Sequence, residues 1–156
     1  MAKDSPTHRP QVAFFDHVYT VVDAGTAAEI SRCDYLQGFG RCFVATTVAD
    51  GETWTGRYLF GRRTYVEFFG PTDFHDPDAT EGSTGLGLST RERGGLAILS
   101  DRMQGGDVRV ELDRRTRQRG DHVVPWFDAL SPSEPAQALS VWVMEFLADP
   151  TDLEVR

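Results

Sequence analysis

Lysine is almost missing from this chain. Lys3 is the only one, so arginine supplies nearly all the positive charge. Cysteine is scarce too, with Cys33 and Cys42 alone. Two thiols cannot build a disulfide framework or a zinc ribbon, so both read as reduced, half-buried side chains. No apolar run approaches the roughly 20 residues that a membrane-spanning helix needs. Positive charge is in deficit overall, since 16 basic against 24 acidic residues leave a formal net charge of -8. Such a surface repels a phosphate backbone, which excludes nucleic acid as a partner. Residues 1–10 carry no apolar signal core and are expected to be a flexible leader on a cytoplasmic protein.

What remains is an ordinary globular composition, 40% hydrophobic and 26% charged over 156 residues. That length suits one domain with a real core. Within it one pattern occurs twice. Tyr65-Val66-Glu67-Phe68-Phe69-Gly70-Pro71 closes the first half, and Val143-Met144-Glu145-Phe146-Leu147-Ala148-Asp149-Pro150 closes the second. Each is a β-prone apolar run with one carboxylate, stopped by proline. A lone Glu in such a strand is costly to bury unless something binds it. Two of them suggest a duplicated module with a shared site.

The element pattern also repeats. Residues 12–22 are rich in β-branched and aromatic side chains and read as a strand. Thr26 followed by Glu29 forms a capping-box signature, and Ile30, Cys33 and Leu36 recur at helical spacing, which predicts a helix over 26–37. Strands over 43–48, 53–60 and 63–69 follow, the last two joined by a Gly61-Arg62 turn. The first module is therefore β-α-β-β-β over 11–70, and 71–82 is a polar linker. A second β-α-β-β-β module runs over 83–150. It has strands at 84–90, 108–112, 122–127 and 138–147, a short helix marked by Leu96, Leu99 and Met103, and a charged hairpin tip at 114–119.

Side chains alternate faces along a strand, so parity sorts them. One face of the first hairpin carries Trp54, Tyr58, Tyr65, Glu67 and Phe69; the other carries Leu59, Val66 and Phe68, suited to a helix. Phe15, His17, Tyr19 and Val21 share a face of the first strand. Val141, Val143, Glu145 and Leu147 share one on the last, which leaves Trp142 on the helix side. A slip of one residue would invert each set.

The doubled pattern, the first strand Phe-Asp-His-Val-Tyr-Thr-Val-Val-Asp and the two Glu-bearing last strands resemble the vicinal oxygen chelate superfamily. That group includes glyoxalase I, extradiol dioxygenases and bleomycin-binding proteins. The resemblance covers residues 12–149 and implies an α+β fold, two βαβββ modules with cupped, mixed sheets around a small-molecule cavity. In metal-dependent members the ligands come from the first and last strands of each module. His17, Glu67 and Glu145 match three of those positions, and the fourth falls near Gly85, where no ligand stands.

Two readings of these residues stay open. His17, Glu67 and Glu145 hold one divalent metal ion with water in the empty positions, or they are metal-free acid–base groups in an apolar pocket. Phe15, Tyr19, Trp54, Tyr58, Tyr65 and Phe69, with His122 and Trp126 from the second module, are the expected substrate contacts. The expected ligand is hydrophobic and aromatic or polyketide-like. The expected activity is cyclisation, ketalisation or isomerisation, with non-catalytic sequestration of a drug-like compound as the alternative. A homodimer is expected, because relatives of this kind often complete their cavities across a subunit interface.

Overall fold

The structure, a computed structural model, describes residues 10–73, 79–134 and 139–147. The first module comprises β1 (Ala13–Val21), α1 (Ala24–Ile30), α2 (Asp34–Phe39), β2 (Arg41–Ala49), β3 (Glu52–Phe60) and β4 (Tyr65–Phe69). The second comprises β5 (Thr84–Thr90), α3 (Gly95–Gln104), β6 (Val110–Arg119), β7 (His122–Pro132) and β8 (Leu139–Phe146).

All eight strands belong to one curved mixed sheet in the order β1-β4-β3-β2-β6-β7-β8-β5. Within each module the first strand runs parallel to the last, β1 beside β4 and β5 beside β8. The modules join edge to edge where β1 pairs antiparallel with β5. The far seam is thin, a single β2–β6 pairing of Ala49 with Arg117. Asp50 reinforces it by accepting hydrogen bonds from the Thr116 backbone N–H at 2.9 Å and hydroxyl at 2.8 Å. The paired βαβββ architecture implied by the sequence resemblance is the one found. Among the described residues no helix is long and apolar enough to cross a membrane.

Local chemistry explains most elements. Asp50 and Gly51, both at positive φ, make the tight β2–β3 hairpin. The single helix expected over 26–37 is instead two, α1 and α2, broken around Ser31 and Cys33. Its cap is Asp23, whose carboxylate accepts from the Thr26 backbone N–H, while Glu29 pairs outward with Arg32. The β3–β4 connection spans four residues, 61–64, rather than two, so Tyr58 lies opposite Glu67 and Phe60 opposite Tyr65. That shifts the expected register by two residues and leaves every side chain on its expected face. The charged stretch 114–119 is not a hairpin tip. It is the second half of β6, and the turn falls at Gly120 and Asp121.

The outer face of the second module packs on α3. Leu96 of α3 meets Leu130 and Val143, with Leu88, Leu99, Met103 and Val110 around them. Val143 therefore marks the outside of β8. By alternation Trp142 and Met144 face the inside of the cup.

Candidate functional site

The inside of the cup is built from rings. His17 on β1 lies flat on Tyr65 of β4, with centroids 4.5 Å apart, and meets the edge of Trp142 at 5.3 Å. Tyr19 bridges Trp142 at 5.8 Å and Phe69 at 5.7 Å. On the neighbouring strands Tyr65 stacks on Phe60, and Tyr58 on Phe43. Most of these rings are half-buried, so they form an open concave wall. Phe69 is fully buried and acts as floor rather than contact surface.

Glycines on β5 and β3 make this arrangement possible. A Cβ at Gly87 would press on the His17 ring, 2.4 Å from its Cε1 and 2.7 Å from its Nδ1, and one at Gly85 would strike the Tyr19 ring. A Cβ at Gly56 would overlap the Glu67 carboxylate and sit 2.8 Å from Cζ of Tyr58. The glycine at the position expected to lack a metal ligand is thus occupied ground, filled by side chains from the other module.

Two polar groups are sunk in this wall. Glu67 is only 7% exposed, and its Oε1 has no hydrogen-bond partner among the described residues. Burial pushes its pKa from the ordinary 4.5 up to about 7, against the opposing effect of hydrogen bonds from Tyr58 and Trp54. Burial first, and then the Glu67 charge, raise the Tyr58 phenol in turn. The second group is a pair. Asp16 and His17 are 4% and 6% exposed, and the Asp16 Oδ1 stands 3.0 Å from the His17 Nδ1. With Nδ1 held by a carboxylate, the imidazole presents Nε2 for other work. In register, Tyr19 lies beside Glu67 and His17 beside Tyr65, so Glu67 is the diagonal neighbour of His17.

Glu145 is not in the cup, and its expected place there is corrected. Its carboxylate accepts from the backbone N–H groups of Gly94 at 3.0 Å and Leu96 at 3.1 Å, and from the Thr90 hydroxyl. It caps the N-terminus of α3 on the outer face, where orphan N–H groups and the helix dipole favour an anion. Trp142, expected against the helix, takes the inward place.

Two further expectations are corrected by geometry. A bulge between Phe15 and His17 places Asp16 as an extra residue and turns Phe15 outward, paired with Leu88 and 47% exposed. His122 stands exposed at the β6–β7 turn, opposite Arg119. Trp126 remains half-buried on β7, with the Arg117 guanidinium 5.4 Å from its ring. Tyr19, Trp54, Tyr58, Tyr65 and Glu67 do come together with His17. His75, in the expected polar linker, lies outside the described residues. An open depression of about 640 Å³ at Arg62, Arg63 and Thr64 lies at the β3–β4 turn, and none of the inward-facing residues lines it.

The divalent metal implied by the resemblance does not fit this donor set. Among the described residues no three His, Cys, Asp or Glu side chains gather to hold an ion. His17 and Glu67 would need ligands from β5 and β8. Those strands offer Gly85, Gly87, Trp142 and Met144 instead.

Asp16, Trp142, Phe43 and Phe60 were missed as site residues. Val66 and Val143 both face outward, and aligning the two last strands on these valines matches Glu67 with Met144 and Phe68 with Glu145. Aligning them on the glutamates puts the second strand one residue out.

No curated protein sequence matches the chain. A hypothetical protein from Staphylococcus aureus shares its fold at a TM-score of 0.59 and 10% identity, covering 92% of this chain and 64% of that one. A catechol 2,3-dioxygenase aligns at a TM-score of 0.47 and 13% identity, over 84% of this chain and 39% of that one. A lactoylglutathione lyase from Agrobacterium tumefaciens aligns at 0.29 and 15% identity, over 90% and 96%. The chain thus spans less than two thirds of the first of these proteins and well under half of the second. Such scores leave the fold resting on the strand order itself and on the first likeness. A family profile matches residues 15–152, nearly the whole chain, and the protein belongs to that family, a family of unknown function designated DUF5829.

Proposed function

We propose that this protein binds a flat, hydrophobic small molecule in the aromatic cup and moves a proton on it, with Glu67 as the acid–base group. The carrying observation is the Glu67 carboxyl, deeply buried, with an unpartnered oxygen and a pKa of about 7 at the base of a half-exposed aromatic wall. A carboxyl poised near neutrality holds both protonation states at working pH, which suits proton abstraction and return. Tyr58 and Trp54 orient that carboxyl. The Asp16–His17 pair supplies a second polar, proton-carrying contact on the adjacent strand. Enolisation of a carbonyl compound, followed by isomerisation or ring closure, needs no more than this: one base, one acid and an aromatic surface that holds the substrate.

The continuous ring lining also favours a second reading, in which the cup only sequesters its ligand. The two separate in one experiment. The full chain is incubated with a panel of aromatic and polyketide-like ketones, and products are followed by mass spectrometry beside tryptophan-fluorescence binding. Proton-transfer chemistry predicts a new species that Glu67→Gln abolishes while binding persists. Tight binding with no new species under any condition supports sequestration and overturns catalysis.

A homodimer is part of this reading. On the outer face, α2 presents Tyr35 and Phe39, stacked on each other and 76% and 74% exposed, beside Val44 and Val48 of β2. Such a patch is suited to self-association. Sedimentation of Phe39→Asp should give monomer where the native chain gives dimer; a native monomer sinks this part.

A further inference from the structure

Along β6 the side chains of Arg115, Arg117 and Arg119 alternate with those of Arg114, Thr116 and Gln118, so three guanidinium groups share one face. Pairing identifies that face as the inside of the cup. Arg115 lies opposite Phe127, and Phe127 opposite Phe146, which follows the outward-facing Glu145 on β8. Arg117 meets Ala49 at the seam, and Ala49 continues the β2 row of Phe43, Ala45 and Thr47 that faces Tyr58, Gly56 and Trp54. Arg114, on the other face, is neutralised outside by a bidentate pair with Asp128.

Arg115 is paired with Asp50, whose Oδ2 stands 3.5 Å from its guanidinium while Oδ1 accepts from Thr116. Among the described residues no carboxylate reaches the Arg117 guanidinium, and its Nε is buried with no hydrogen-bond partner. Burial, and then the Arg119 charge, lower its pKa. What it does have is a platform. The β7 bulge opposite Thr116 leaves Trp126 as the extra residue, and its ring lies under the guanidinium. A cationic fork held on an indole inside the cup, with its Nε buried and unpaired, is left open to an anion.

We propose that Arg117, seated on Trp126, binds the carboxylate of the cup's ligand, which makes the ligand class a flat aromatic acid. This rests on the reading of the cup as a small-molecule site. The planar guanidinium accepts a carboxylate through two parallel hydrogen bonds. β3 and β2 separate Glu67 on β4 from Arg117 on β6. Glu67 stands level with Tyr58 and Phe43 and Arg117 with Ala49, so three strand spacings across and six residues along β2, roughly 20 Å of strand, lie between them on the wall.

The test compares 2-naphthoate with its uncharged analogue 2-naphthamide, by tryptophan fluorescence and calorimetry on the full chain. The native protein should prefer the acid by about tenfold or more. Arg117→Gln should reduce the acid to the level of the amide, and Arg117→Lys should keep part of the preference. Arg109→Gln, which removes an exposed charge outside the cup, should leave the preference intact. Equal binding of acid and amide, or a preference that survives Arg117→Gln, overturns the anion site and leaves the cup standing. Failure of both compounds to bind the native chain overturns the cup reading, and this inference with it.

Discussion

The imidazole of His17 and the phenol of Tyr65 are nearly parallel, 7° apart, and the parallel pairing of β1 with β4 stacks one on the other. The ring is pinned from three directions, by Tyr65, by the edge of Trp142 and by Asp16 at Nδ1. Removing the carboxylate with Asp16→Ala leaves a buried polar nitrogen unpaired, at a cost of about 1–3 kcal/mol. Asp16→Asn, which can still accept at that nitrogen, should lose less. Urea denaturation of the two variants checks this, and equal midpoints would remove the pair from the account.

Glu67 should make stability depend on pH with a definite sign. Folded, it keeps its proton up to about pH 7; unfolded, it releases the proton near its ordinary 4.5. Between those values the folded state binds more protons, so stability from this group is full at low pH and falls as pH rises. The loss is on the order of 3 kcal/mol by about pH 8. Glu67→Gln should flatten that slope. Denaturation curves at pH 5 and pH 8 measure it, and a native chain that gains stability over this window on account of Glu67 contradicts the burial.

Glu145 should behave as structure. Glu145→Ala removes the acceptor for the backbone N–H groups of Gly94, which caps α3, and Leu96 within it, which costs about 1–2 kcal/mol, as lost helix caps do. Ligand binding at saturating stability should not change. If binding disappears in a variant whose near-UV circular dichroism is native, Glu145 contributes to the site after all.

Gly87 and His17 should be coupled. Gly87→Ala drives a methyl group into the His17 ring, so it should destabilise and displace the imidazole. Combining it with His17→Ala should restore part of the stability, a coupling of about 0.5–3 kcal/mol in a double-mutant cycle. Strict additivity would place the His17 ring elsewhere.

The order of strands and helices was largely legible, because alternation and turn chemistry are local properties. Strand 84–90 coincides with β5, and the β2–β3 turn falls on Asp50 and Gly51, within the gap left between the strands expected at 43–48 and 53–60. The Glu67 face survived even a wrong turn length, since the register error was two residues and parity was conserved. Two bulges escaped notice. The one at Asp16 turned Phe15 outward, and the one at Trp126 carried β6 through a stretch read as a tip. A bulge has no composition of its own, so alternation counted across it comes out wrong.

The amino-acid sequence by itself determined which side chains travel together: Tyr65 with Glu67, Trp142 opposite Glu145, and three arginines on one edge of β6. Only the tertiary structure decided which side each group faces. Alternation is symmetric between the two faces of a sheet, and the symmetry is broken only when a helix lands on one of them. On β8 the landing of α3 against Val143 took Glu145 to the helix end and gave the cup to Trp142. On β4 the same choice went the other way and buried Glu67 among the rings.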